Sequence, residues 1–269
     1  MRVYEIPEGS KTSKGRAIQN LINIEQDDKV KAFINTQDLK DEEYINNHYV
    51  IMATKQGQVK KTSLEQYSRP RANGINAITV KDGDELLEAK LTNGESEILL
   101  ALKSGKSIRF EESKTRPMGR NASGVRGITL GGPNDEVIGM VSVNDASTDI
   151  LVVSENGYGK RSSLDDYRIT NRGGKGVKTI SITDKTGDLV AIKNVSDEND
   201  LMIINKSGIA IRMSVESLRV MGRATQGVKL INLKGDDQIA AVAKVMKEED
   251  TIEENEGATD ASTDGTNIE

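Results

Sequence analysis

Four glycines constrain this chain more than anything else in it. Gly57, Gly105, Gly157 and Gly208 fall 48, 52 and 51 residues apart, inside the stretches MATKQGQVKK, LALKSGKSIR, VVSENGYGKR and IINKSGIAIR. A polar residue and a glycine between short runs rich in Ile, Val and Leu predict a tight β-hairpin. A second glycine follows each hairpin: Gly74, Gly124, Gly176 and Gly227, at offsets of 17, 19, 19 and 19. Next come an apolar run (INAITV, VRGITL, VKTISI, VKLINL), an acidic turn and a last apolar run. Each unit therefore offers four strands. A four-stranded unit at this period predicts an all-β, propeller-like array of four-stranded blades, each burying its faces against its neighbours.

The expected organisation is a partial first unit over 1–48, blades at about 49–96, 97–148, 149–199 and 200–246, and a tail over 247–269. In the first unit Gly15 fits the second-glycine position, and residues 26–34 fit the acidic turn and last strand. A hairpin glycine 19 residues before Gly15 would precede Met1, so the chain is expected to start inside a unit, with part of the natural protein missing. The tail carries nine acids against one base, with Ile252 and Ile268 its only sizeable apolar groups, a composition that predicts disorder. Residues 1–246 hold 36 bases against 33 acids, so a mildly basic body precedes an acidic tail able to compete for a cationic surface.

Without cysteine there is no disulfide, thiolate nucleophile or Cys-based metal site. No apolar run approaches the ~18 residues of a membrane helix, and no signal peptide opens the chain, which predicts a cytoplasmic protein. With six Tyr, two Phe and no Trp, the core is expected to be aliphatic.

The bases repeat with the units. Four residues past each hairpin glycine stand Lys61, Arg109, Arg161 and Arg212. Four before the second glycine stand Arg120, Arg172 and Arg223, with Arg71 at three before in the short copy. Two after it stand Arg126, Lys178 and Lys229. A base at one fixed place in every stacked unit makes a cationic band, which suits a regularly spaced polyanion such as duplex DNA. Glycine-rich loops such as NRGGKGVK, with Lys175, add backbone N–H groups for phosphate without reading bases. Lys14, Arg16, Lys60, Arg69, Arg116 and Lys160 complete the candidate DNA contacts. Two bland readings stand beside this one: a repeated structural salt bridge, or a charged edge that discourages strand-to-strand aggregation.

Other signals carry less. GGKG does not form a Walker A loop, which needs GxxxxGK followed by Ser or Thr. His48, the single histidine, reads as a loop residue in the polar stretch NNHYV. Asp82, Asp84, Asp135 and Asp188 recur at turns, where Asp bonds its own backbone. TSLEQY, SSLDDY and SVESLR read as helical turns or bends linking hairpin to basic loop. No nucleophile, base and oxyanion donor converge, and no metal site is predicted.

RVYEIPEGSKTSKGRAIQNLI, ATKQGQVKKTSLEQY, DGDELL, RPMGRNASGVRGI, ENGYGKRSSLDDY and VMGRATQGVKLI resemble the C-terminal domain of the bacterial DNA gyrase A subunit, from residue 2 to about residue 246. The resemblance implies a six-bladed β-pinwheel whose blades exchange strands and whose basic rim wraps double-stranded DNA. It also implies an A2B2 holoenzyme, in which the A-subunit cleavage domain and the B subunit use ATP and Mg²⁺ to introduce negative supercoils, in the cytoplasm at the nucleoid. No cofactor and no membrane contact is expected for this chain itself. The family's Gln-Arg-Arg-Gly-Gly-Lys-Gly box belongs to a first blade upstream of Met1. NRGGKG at 171–176 resembles that box in a later repeat, so only basic rim contact carries over. None of Tyr4, Tyr44, Tyr49, Tyr67, Tyr158 and Tyr167 matches the family's catalytic tyrosine motif, so the chain is not expected to cut DNA. Two alternatives remain open: the equivalent domain of the topoisomerase IV A subunit, or a protein-interaction propeller. The last predicts that Lys61, Arg109, Arg161 and Arg212 face neighbouring acids.

Overall fold

The computed structural model describes residues 3–10, 12–22, 24, 28–71 and 73–247. The tail beyond residue 247 lies outside them, as do residues 25–27 of the expected first acidic turn. Each hairpin glycine sits in the left-handed region (φ +78° to +87°) between two strands. The hairpins are β1 (Tyr49–Thr54) with β2 (Gln58–Ser63), then, after β3 (Leu86–Thr92), β4 (Glu97–Leu102) with β5 (Lys106–Glu111). After β6 (Val125–Arg126) and β7 (Val137–Val143) come β8 (Asp149–Ser154) with β9 (Tyr158–Ser163). After β10 (Val177–Lys178) and β11 (Leu189–Val195) come β12 (Asn199–Asn205) with β13 (Ala210–Ser214), and the chain continues into β14 (Val228–Lys229) and β15 (Ile239–Met246).

The sheets are all antiparallel, in the orders β3-β1-β2-β6, β7-β4-β5-β10, β11-β8-β9-β14 and β15-β12-β13. The all-β expectation holds. Three of the four sheets are four-stranded as expected, and what differs is which unit supplies the fourth strand. The apolar run after each second glycine was expected to give its own unit a full strand. It gives two residues, and these cross to the preceding unit: β6 pairs with β2, β10 with β5 and β14 with β9. INAITV, residues 75–80, forms no strand, and neither do the described residues 28–34.

Second glycines are required where the crossing strand docks. A Cβ on Gly124 or Gly176 would lie 2.5 Å from the carbonyl oxygen of Val59 or Ser107, and one on Gly227 would strike that of Gly159. All three glycines have φ between +71° and +88°.

The hairpins read as unbroken apolar runs because both sheet faces are covered. In β4, Ile98, Leu100 and Leu102 pack on Ile51, Ala53 and Val59 of the first sheet. The alternate Leu99 and Ala101 pack on Ile150 and Val152 of the third. Leu151 and Val153 meet Leu201 and Ile203 of the last. The first sheet's outer face is closed by a short helix, α1 (Glu42–Asn47), whose Ile45 joins Val50 and Met52. Asp41 caps α1 by accepting from the N–H groups of Glu43 and Tyr44. His48 is the C-cap, its Nδ1 2.7 Å from the Tyr44 carbonyl oxygen.

Candidate nucleic-acid interface

Three of the four hairpin bases, Lys61, Arg109 and Arg161, turn inward, which corrects their expected place on an exposed rim; Arg212 stays exposed. Lys61 is buried, 2.9 Å from the fully buried Glu112 of the next repeat, and its Nζ lies 4.1 Å from the centre of the Tyr49 ring. Arg109 is buried, donating from Nε to Glu97 (2.6 Å) and from Nη1 to the carbonyls of Leu164 and Tyr167. Arg161 pairs with Asp149 (2.5 Å) and Asp197, and Arg212 with Asp200 (2.7 Å). The partner acids Glu97, Asp149 and Asp200 stand 12 residues before their arginines, with Tyr49 in that place in the first repeat, a pattern present in the sequence. The backbone of this series ties the repeats together: the carbonyls of Lys61, Arg109 and Arg161 accept from the N–H groups of Met118, Thr170 and Met221.

Lys60 and Lys160 are also corrected. Both are buried and hold up the crossing loops from beneath. Lys60 donates to the carbonyls of Ala77 (2.5 Å) and Arg120. Lys160 donates to those of Gly222 (2.7 Å) and Arg223. Burial, then the nearby charge of Arg120, pushes Lys60 down to about 8. Burial also pushes Lys160 down to about 8.

Arg120, Arg172 and Arg223 are half-buried struts between successive crossing segments. Each donates from Nη1 to the carbonyl two residues past the previous second glycine: Arg120 to Asn76 (3.2 Å), Arg172 to Arg126 (3.0 Å), Arg223 to Lys178. Their charge is held by backbone oxygens, and among the described residues no carboxylate forms an ion pair with them.

The outward cations ride on these segments. Arg126, Lys178 and Lys229 occupy one register position in three successive sheets, opposite Gln58, Lys106 and Tyr158, and all three are exposed. Lys175, Arg116, Arg69, Arg71, Lys14 and Arg16 are exposed too. The sequence reading missed a series it had the means to find. Arg168 and Arg219 stand eight residues before their second glycines, as Arg116 does, and all three are exposed. It also missed Lys106, directly across from Lys178. Like charges facing across strands cost stability. Arg168 and Lys175 flank a groove of about 250 Å³ beside the backbone of Gly174 and Gly176. Glycine-rich backbone beside two cations is suited to a phosphate. Among the described residues no cluster of His, Asp or Glu is arranged to hold a metal, and no helix is long and apolar enough to cross a membrane.

The chain matches the family model described as DNA gyrase C-terminal domain, beta-propeller, over residues 1–37, 48–93, 97–144, 148–196 and 199–246. It is 43% identical over 269 residues to the DNA gyrase A subunit of Staphylococcus aureus strain NCTC 8325, covering 99% of this chain and 30% of that protein. It is 44% identical over 267 residues to the same protein from strain MRSA252. The chain thus spans about 30% of the length of these curated relatives. Among solved structures it is similar to a C-terminal domain of DNA topoisomerase IV (TM-score 0.81, 23% identity, 91% of this chain and 74% of that one). It is likewise similar to a DNA gyrase A C-terminal domain (TM-score 0.77, 23% identity, 91% and 78%).

Proposed function

Since the chain belongs to the DNA gyrase C-terminal domain family, we propose that it binds double-stranded DNA along the edge of crossing strands and bends it. The observation that carries this reading is the register-matched, exposed series Arg126, Lys178 and Lys229, extended by Arg116, Arg168 and Arg219. Cations at one position of each successive sheet follow a curved path, so a duplex touching all of them is bent. Bending 20–30 bp by 40–90° costs on the order of 1–6 kcal/mol, which several Lys and Arg contacts with counterion release offset at low salt. Contacts to phosphate alone make binding independent of sequence.

In this reading the domain serves a gyrase A chain. It presents wrapped DNA to the cleavage domain of that chain, and the B subunit, with ATP and Mg²⁺, drives negative supercoiling in the cytoplasm. The domain itself performs no chemistry on DNA. The 43% identical relatives, all gyrase A chains, favour gyrase over topoisomerase IV. The pairing of Lys61, Arg109, Arg161 and Arg212 with acids matches one expectation of an interaction propeller, yet among the described residues it leaves the outward series without acids to serve.

The test is end-to-end fluorescence transfer on a doubly labelled duplex long enough to circle the domain, titrated at low salt. A rise in transfer that salt abolishes, and that charge reversal at Arg126, Lys178 and Lys229 removes, is the expected result. Absence of binding at low salt overturns the proposal.

A further inference from the structure

The core clusters absorb the aliphatic side chains of the hairpins in the first three sheets. Two aliphatic residues beside those hairpins stay outside: Ile169 is 47% exposed and Val220 52%. Each lies at a junction whose host strand is in place, so its exposure belongs to the finished fold. Pro117, Ile169 and Val220 form parallel bridges to Lys61, Arg109 and Arg161 on the outer edges of β2, β5 and β9. The following residue locks each bridge. Met118, Thr170 and Met221 donate their N–H groups to the carbonyls of Lys61, Arg109 and Arg161 at 2.8–2.9 Å.

The residue before each bridge is an exposed arginine: Arg116, Arg168 and Arg219. The short copy has Arg69 before Pro70, both exposed. Every junction thus shows an arginine and then an aliphatic residue on its outer edge. The same edge carries Arg126, Lys178 or Lys229, opposite Gln58, Lys106 or Tyr158. From Gln58 to Lys61, Lys106 to Arg109 and Tyr158 to Arg161 is a step of three residues, about 10 Å of strand.

Phosphate gives an aliphatic side chain nothing to bury against. On a duplex the apolar surface common to every sequence is the deoxyribose wall of the minor groove, whereas the thymine methyls of the major groove depend on sequence. The major groove, about 12 Å wide, admits a helix or a two-stranded ribbon. These edges offer single extended segments with one arginine each, the size of a minor groove about 6 Å wide. A bend towards the domain narrows that groove on the inner side and deepens its negative potential, which draws arginine in.

We propose, building on the DNA-binding reading above, that Arg168–Ile169 and Arg219–Val220 are minor-groove contacts. The arginines enter the groove, Ile169 and Val220 lie on its deoxyribose wall, and Lys178 and Lys229 hold phosphates on its lip. Arg116–Pro117 with Arg126 makes the same contact at the first junction.

The test compares the unsubstituted chain with Ile169→Ser, Val220→Ser on a duplex at low salt. The double substitution is expected to weaken DNA binding about tenfold, as two aliphatic side chains are no longer buried. It leaves the slope of log affinity against log salt unchanged, because no phosphate contact is lost. Its urea midpoint stays that of the unsubstituted chain. Arg168→Ala with Arg219→Ala flattens the slope instead. In hydroxyl-radical cleavage the protected sugars of the two strands are displaced towards their 3′ ends, as when the minor groove faces the domain. A duplex whose major groove is filled by glucosylated hydroxymethylcytosine binds as tightly as the unmodified one. Four results overturn this inference and leave the DNA-binding reading standing: unchanged affinity in the serine variant, a loss that comes with a flatter slope, protection displaced towards the 5′ ends, or weak binding to the glucosylated duplex. An unsubstituted chain that does not bind DNA at low salt overturns both.

Discussion

Two sets of cations share one period and end in opposite surroundings. Lys61, Arg109, Arg161 and Arg212 stand on the hairpins, among acids. Arg126, Lys178 and Lys229 stand on the two-residue crossing strands, exposed. Period establishes that residues are equivalent. It does not say which way they face. Strand alternation places a residue in solvent only when one sheet face is wet, and here β2, β5 and β9 are covered on both faces. Solvent is reached at the sheet edge, and beside the hairpins of the first three sheets that edge is a crossing strand.

The largest effect that sharpens this contrast falls on the inward set. Glu112→Ala leaves Lys61 buried without its acid and is expected to lower unfolding free energy by about 3–5 kcal/mol in urea titration. DNA affinity per folded molecule stays unchanged. Gly176→Val comes next. It forces a side chain at φ +71° against the Ser107 carbonyl, with an expected cost of about 1–3 kcal/mol and loss of DNA bending as β10 leaves its host.

Replacing Arg126, Lys178 and Lys229 together by Ala reverses the pattern. Stability moves by no more than about 0.5 kcal/mol per site, while the slope of log affinity against log salt flattens by roughly 0.9 for each phosphate that is no longer neutralised. A stability loss as large as that of Glu112→Ala would erase the distinction between the two sets.

A pH dependence follows from the lysines buried beneath the crossing loops. Lys60 and Lys160 titrate at about 8 when folded and near 10.5 when unfolded. Below about 8 both states hold these protons and the folded state bears the whole cost of burying the charge. Above it the unfolded chain binds more protons, so stability rises with pH towards 10.5. Tyr167, pushed up to about 12 by burial, acts oppositely above its ordinary 10.0. A rise in urea midpoint between about pH 8 and 10, flattened by Lys60→Met with Lys160→Met, is expected.

The hairpins and their glycines were legible because turn chemistry and apolar runs are local. The destination of the run after the second glycine was not. VRGITL has strand composition, but only the Val59 carbonyl, 65 residues before Gly124, explains why that glycine is needed. The facing of the hairpin bases was half legible. Glu97, Asp149 and Asp200 recur 12 residues before Arg109, Arg161 and Arg212, yet Glu112 comes to Lys61 from the next repeat. The Arg116, Arg168 and Arg219 series needed only a further count.

The crossing strands also set a timetable for synthesis. Gln58, Lys106 and Tyr158 each wait 68 to 72 residues for their partners Arg126, Lys178 and Lys229 to leave the ribosome. At cellular elongation rates that is roughly 3–14 s during which the newest sheet has a bare edge. Lys60 with Lys61, and Lys160 with Arg161, sit on those waiting strands. Sealed inside once the next repeat arrives, they are open charges until then, and they guard the nascent edge against pairing with the wrong chain.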